Sequence, residues 1–185
     1  MNEKIAKLLS ELGQFGAAHS CYNIPPETGK FFSILIKTAK SKNILEIGTS
    51  NGYSAIWLAE AAKENKGKVT TIEISDSKVK MAMEHFKKAK LNKIIKIIHG
   101  DALKEIPKLK GKFDFMFLDA IKEDYLKYLR LAEKKLEKGC IIAADNAVMF
   151  RDYMKDYLNY IGTNKNYSSV LVPIGSGVEF SIKIK

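Results

Sequence analysis

Three side chains with hard oxygen donors follow short apolar runs in the second half of the chain. The run Phe113–Leu118 delivers Asp119, and Cys140–Ala144 delivers Asp145 and Asn146. Two carboxylates and a carboxamide brought to one sheet edge suit a hard divalent cation such as Mg²⁺, Mn²⁺ or Ca²⁺, whereas zinc would want His or Cys. Taken alone, Asp145-Asn146 reads equally well as a turn or helix cap. Asp119 at the neighbouring strand end shifts the balance toward a metal site.

A second set lies upstream. Asn43–Ile47 runs into Gly48-Thr49-Ser50-Asn51-Gly52-Tyr53-Ser54 and then a helix, with glycines that permit a tight turn and close ligand approach. Their spacing is GxxxG, not the GxGxxG that seats a pyrophosphate on a helix N-terminus. Glu46 inside the strand also fits poorly beside a pyrophosphate and suits a ligand bearing an amino group or a sulfonium. An ordinary strand–helix turn with a solvated Glu46 is the plain alternative. Glu73 ends the next strand and offers a carboxylate to both hydroxyls of a ribose. Asp101-Ala102, after His99-Gly100, offers a contact to an adenine amino group, although Asp101 serves equally as a helix cap. An adenosine-containing ligand without a phosphate requirement points to S-adenosylmethionine.

Positioning these residues requires strands that share one carboxyl edge. Short β-rich runs at Asn43–Ile47, Lys68–Glu73, Ile94–Ile98, Phe113–Leu118 and Cys140–Ala144 alternate with helical patterns near 52–64, 76–90, 101–108, 124–137 and 147–161. That alternation predicts an α/β fold, a Rossmann-like doubly wound sheet that is mostly parallel and covered on both faces. Ser168–Pro173 and Val178–Ile184, joined by Ile174-Gly175-Ser176-Gly177, predict a closing antiparallel hairpin and bring the sheet to seven strands. Ligands of such sheets bind beyond the carboxyl ends of the strands. Residues 1–185 read as a single domain, with N-terminal helices over 1–40 and the Rossmann-like core over 41–185.

Composition narrows the setting. The chain has 185 residues, 46% apolar and 28% charged, which excludes wholesale disorder. No apolar run approaches a membrane span. The opening Met1-Asn2-Glu3-Lys4 lacks an export signal, so a cytoplasmic location is expected. Cys21 and Cys140 make neither a disulfide framework nor a zinc site. The net charge of +10 raises an RNA partner, but 29 of the 31 cations are lysine and only Arg130 and Arg151 are arginine. Residues 51–100 hold ten cations against five anions, a run that reads first as solvated helix surface.

Taken in order, LEIGTSNGYS at 45–54, TIEI at 71–74, GDA at 100–102, FDFMFLDAIKEDY at 113–125, ADN at 144–146 and PIGSGVEFSIK at 173–183 resemble the metal-dependent, catechol-O-methyltransferase-like class I methyltransferases of bacterial and archaeal type. The resemblance covers roughly residues 20–185. It implies that Glu46, Gly48 and Ser54 hold the methionine end of the cofactor, that Glu73 takes the ribose, and that Asp101-Ala102 take the adenine. The same resemblance implies Ile24 as a backbone contact to the cofactor, Asp119 as a further cofactor contact, and Asp119, Asp145 and Asn146 as metal ligands. Asp119 and Lys122 become the catalytic pair, with Lys122 as the base for a small hydroxylated acceptor.

The sequence departs from that family at the acceptor. Ser20 and Ile121 stand where catechol-methylating members place tryptophans, and Val170 stands where they place an acceptor-binding glutamate. Trp57 belongs to the helix after the glycine turn and is expected in the core. The acceptor site is therefore expected to be open, or completed by a second subunit in a homodimer. His19, His85, His99, Cys21 and Cys140 read as structural. Two other readings stay open: methylation of a hydroxylated uridine in transfer RNA, and cofactor binding without catalysis. An NAD-dependent dehydrogenase is disfavoured by the missing GxGxxG.

Overall fold

The computed structural model describes residues 3–18 and 21–185. Seven strands form one sheet: β1 (Asn43–Ile47), β2 (Lys68–Glu73), β3 (Ile95–His99), β4 (Phe113–Leu118), β5 (Leu136–Asp145), β6 (Tyr167–Val172) and β7 (Val178–Lys183). Their order is β3-β2-β1-β4-β5-β7-β6. The first five strands are parallel, while β7 lies antiparallel between β5 and β6. Strand order reverses between β1 and β4, and it is there that a doubly wound sheet opens a crevice at its carboxyl edge.

The near-continuous apolar strands make sense once both faces are seen to be covered. On one face α1 (Glu3–Ala18), α2 (Pro26–Thr38), α3 (Tyr53–Glu64) and α4 (Asp76–Lys88) bury Ile5, Leu9, Phe32, Ile36, Ile56 and Phe86 in one cluster with Ile44, Phe115 and Phe117. On the other, α6 (Tyr125–Ala132) and α7 (Lys155–Thr163) bury Tyr125, Leu129, Tyr157 and Ile161 against Leu45, Ile47, Met116 and Leu118. Trp57 joins the first cluster, and its indole lies where a side chain on Gly29 would have to go, so α2 and α3 pack in close contact.

Several elements differ from the sequence expectation for identifiable reasons. The helix expected over 101–108 is only α5 (Ala102–Glu105) followed by a 3-10 turn at Ile106–Lys108, because Pro107 cannot continue the backbone ladder. The helix expected over 124–137 becomes a 3-10 turn at Lys122–Asp124, then α6, then another 3-10 turn. β5 starts at Leu136 instead of Cys140, with exposed Glu137, Lys138 and Gly139 interrupting its register with β4. The segment after Asn146 passes through turns and a 3-10 turn at Arg151–Met154 before α7 begins. Among the described residues, no helix is long and apolar enough to cross a membrane.

Candidate functional site

At the strand-order reversal lies a cavity of about 480 Å³, lined by Gly48 and Ser50 after β1, Glu73 at the end of β2, and Asp101-Ala102 after β3. Asp119, Ile121 and Lys122 after β4 close its other side, and the exposed Tyr22 stands at its rim. Six of the residues singled out from sequence therefore converge on one space. Gly48 takes a positive φ of 96°, and a Cβ there would overlap the carbonyl oxygen of Asp119. Only glycine lets the ends of β1 and β4 approach this closely.

Glu73 is held on both oxygens by backbone. Ser50 N–H donates to Oε2 at 2.8 Å and Ser75 N–H to Oε1 at 2.9 Å. This clamp fixes the carboxylate at the cavity while leaving lone pairs for a diol. Asp101 is the helix cap that the sequence allowed, and it also lines the cavity. Its Oδ1 caps α5 through Leu103 N–H at 2.9 Å.

Glu46 lies just beneath, fully buried beside the glycine turn. Thr71 donates its hydroxyl to Oε2 at 2.6 Å, while Oε1 makes no hydrogen bond of normal geometry. Burial pushes this carboxyl up to about 8; the hydroxyls of Thr71 and Ser54 pull it down, and the charges of Asp119 and Glu73 push it further up. A buried acceptor left open costs free energy unless a donor reaches it. Solvation, the plain alternative for Glu46, is excluded by its complete burial.

Lys122 Nζ donates to Asp119 Oδ1 at 2.9 Å and to the Tyr125 hydroxyl at 3.0 Å, and that hydroxyl in turn donates to Leu118 O at 3.0 Å. A lysine head that is otherwise mobile is thus fixed between a carboxylate and a buried phenol. At the end of β5, Asp145 Oδ1 accepts from the Ser176 hydroxyl at 3.0 Å, and Asn146 Nδ2 donates to the same oxygen of Ser176 at 2.9 Å. Burial pushes the Asp145 carboxyl up to about 6, and the charge of Asp119 adds to the rise. Asn146 sits at φ 70°, turned over by the chain reversal after β5. Among the described residues, no group of three His, Cys, Asp or Glu side chains is placed to hold a metal. The set available here is two carboxylates and the Asn146 amide.

Some expected residues lie elsewhere. Ile24 is buried against α1 and lines a separate groove beside Trp57, apart from the strand-end cavity. Ser54 sits in the first turn of α3, behind the cavity wall. Ser20 and His19 fall outside the described residues. Val170 is exposed on β6, the outermost strand at that end of the sheet. His85 is buried with Nδ1 2.7 Å from Asn51 O, and His99 Nε2 lies 3.2 Å from Ile74 O, both structural contacts. Ser176 and Tyr125 escaped the sequence reading. Ser176 looked like a hairpin turn residue, and Tyr125 was hidden in an amphipathic pattern three residues beyond Lys122.

The O-methyltransferase family model matches residues 2–160, most of the chain. The chain belongs to the O-methyltransferase family. Among its relatives in that family, a catechol O-methyltransferase of Niastella koreensis is 35% identical over 130 residues, 68% of this chain and 58% of that protein. A catechol O-methyltransferase of Mycobacterium tuberculosis is 32% identical over 126 residues, 68% of this chain and 57% of that protein. The match thus spans under three fifths of the length of these curated relatives. An O-methyltransferase from Bacillus cereus, solved in complex with SAH, superposes with a TM-score of 0.85 at 26% identity, covering 96% of this chain and 90% of that one.

Proposed function

We propose that this O-methyltransferase family member transfers the methyl group of S-adenosylmethionine to a hydroxyl of a small acceptor, with a divalent cation bound beside the acceptor. The observation that carries the reading is the cavity itself. It sets a backbone-clamped carboxylate, Glu73, across from the Asp119–Lys122 pair, within about 480 Å³.

On this reading Glu73 accepts from both ribose hydroxyls, and Asp101 and Ala102 flank the adenine. Glu46 offers its open Oε1 to the cationic amino group of the methionine moiety, and that charge would bring the carboxyl down into its ionised form. Gly48 supplies close backbone approach, and Ser54, behind the wall, sets its hydroxyl against the Glu46 carboxyl. The donor set of Asp119, Asp145 and Asn146 fits a hard cation. All three offer oxygen, and the charge of Asp119 raises the buried Asp145 carboxyl, with Lys122 the one cation paired to Asp119 among the described residues. When bound, Mg²⁺, Mn²⁺ or Ca²⁺ supplies the Lewis acidity that makes an acceptor hydroxyl easier to ionise.

Lys122, as the neutral amine, is the group placed to receive that proton at Nζ. Its hydrogen bonds to Asp119 and to Tyr125 aim the nitrogen, and Tyr125 is itself pinned by Leu118 O. Methyl transfer from a sulfonium then needs mainly alignment of oxygen, carbon and sulfur, which a rigid strand-end site provides. Exposed Ile121, Met149 and Tyr153 offer apolar surface near the β4 and β5 ends, in keeping with an aromatic or alkyl acceptor in an open site.

Isothermal titration tests the cofactor half of the proposal. S-adenosylmethionine should bind at one site, with about tenfold or greater weakening in Glu73→Ala. Tighter binding of NAD than of S-adenosylmethionine would overturn it.

A further inference from the structure

The basic excess is not at the strand-end cavity. Lys68, Lys93, Lys96, Lys108, Lys110 and Lys112 all line a second groove, of about 1050 Å³, beneath the amino-terminal ends of β1, β2 and β4. The one carboxylate lining it, Glu105, is already paired with Lys108 at 2.7 Å. Asp114, nearby, accepts the backbone N–H groups of Lys42 and Asn43. Lys68, Lys93, Lys96 and Lys110 are exposed and form no ion pair among the described residues. Lys112 Nζ is held by the Lys134 carbonyl at 2.6 Å, which leaves four exposed lysines without an ion pair lining one concavity.

The groove exists because the connection from β3 to β4 carries only the four-residue α5 and one 3-10 turn, too little chain to cover this part of the sheet. Its wall includes consecutive residues 94–98. Side chains alternate between the two faces of a strand, so a wall built from consecutive residues follows the strand's edge. β3 is the outermost strand of the sheet at this end. Val69 N–H donates to Ile94 O and Gly100 N–H to Glu73 O, so the even-numbered residues bond inward to β2. By alternation the main-chain N–H and C=O of Ile97 point out of the sheet, into the groove.

We propose that this groove docks an extended, acidic peptide segment of a partner protein, which adds to the sheet as a strand beside β3. Main-chain bonds at Ile97 would fix register, and alternate carboxylates would meet the lysines. The same lysines repel a second copy of this cationic chain and so guard the edge against self-pairing. Nucleic acid is a poorer fit. The groove holds no arginine for bidentate contacts, and its one aromatic, Phe113, is buried and cannot stack on a base.

The test is fluorescence anisotropy with the full chain and three labelled probes: a short peptide alternating Glu with Val, its Lys–Val counterpart, and a single-stranded oligouridylate. The Glu–Val peptide should bind saturably and the Lys–Val peptide should not. The exposed pair Lys93→Glu and Lys96→Glu should weaken binding about tenfold or more. Ile97→Pro, which deletes the outward N–H and leaves every charge in place, should weaken it as well. In the unmutated chain, the Ile97 amide should exchange more slowly once peptide is added, a readout that holds even if the proline variant does not fold. Tighter saturable binding of oligouridylate would overturn the proposal. So would unchanged affinity in the lysine variant, an Ile97 amide indifferent to peptide, or no binding by the Glu–Val probe.

Discussion

Lys122 Nζ rests 2.9 Å from Oδ1 of Asp119 and is the one lysine or arginine nitrogen within ion-pair distance of that carboxylate among the described residues. Asp119 directly follows β4 and Lys122 opens the 3-10 turn three residues on, so the strand that carries Asp119 to the cavity also delivers its partner. If Lys122 is the proton acceptor, Lys122→Met should lower kcat about a hundredfold or more. Cofactor affinity should stay within about twofold, since no cofactor contact is assigned to Nζ. Tyr125→Phe should cost less and should act on kcat while KM for the acceptor is retained, because Tyr125 only aims the lysine. Steady-state kinetics with a calorimetric cofactor titration separate the two effects.

Glu46 gives a proton-linked signature. In the free protein its carboxyl is pushed up to about 8 by burial, so it is largely protonated at pH 7. Pairing with a cationic amino group would pull that proton off. Cofactor binding at pH 7 should therefore release up to about one proton, seen as a binding enthalpy that changes between phosphate and Tris buffers. Glu46→Gln should abolish the buffer dependence. The same shift acts on stability. A folded-state value above the unfolded one favours the fold fully below about 4.5 and loses that advantage as pH rises through about 8. The free protein should thus unfold at lower temperature at pH 9 than at pH 6, and Glu46→Gln should flatten the difference.

Gly48 should not tolerate a side chain. The left-handed φ alone costs about 1–2 kcal/mol for alanine. The overlap with the Asp119 carbonyl adds to this and pushes β1 and β4 apart at the cavity. Thermal denaturation of Gly48→Ala should show a melting temperature lower by several degrees, together with loss of cofactor binding.

Asp145 should govern how metal affinity depends on pH. With its carboxyl at about 6, protonation below that value removes the charge a cation needs. Mn²⁺ affinity, followed by electron paramagnetic resonance, should fall about tenfold per unit of pH below 6 and level off above it. Ser176→Ala removes a hydrogen bond to the ionised carboxylate and should move that inflection upward.

The sheet and its ligand edge were legible because the decisive residues stand at the ends of apolar runs. Asn43–Ile47, Lys68–Glu73 and Phe113–Leu118 were bounded correctly, and with them Gly48, Glu73 and Asp119 fell at the carboxyl edge. What supports those residues was not legible. Ser176 meets Asp145 from across the closing hairpin, and Ser50 and Ser75 act on Glu73 through backbone N–H groups that carry no side-chain signal. The destination of the charge was also hidden. The basic excess over residues 51–100 reads as solvated helix surface along the chain, and only the truncated crossover after β3 gathers Lys68, Lys93 and Lys96 with later lysines into one groove. Ile24 was expected only as a backbone contact, and its side chain is buried beside α1, in a groove apart from the cavity.

The most direct measurement is transfer of a tritiated methyl group from S-adenosylmethionine, with Mg²⁺, to a panel of aromatic and aliphatic diols and to bulk transfer RNA, run with and without EDTA. The expected result is label on at least one small hydroxylated acceptor, abolished by EDTA and by Asp145→Ala while both conditions leave cofactor binding intact. Label appearing on RNA alone, or transfer that survives both EDTA and Asp145→Ala, would contradict the account.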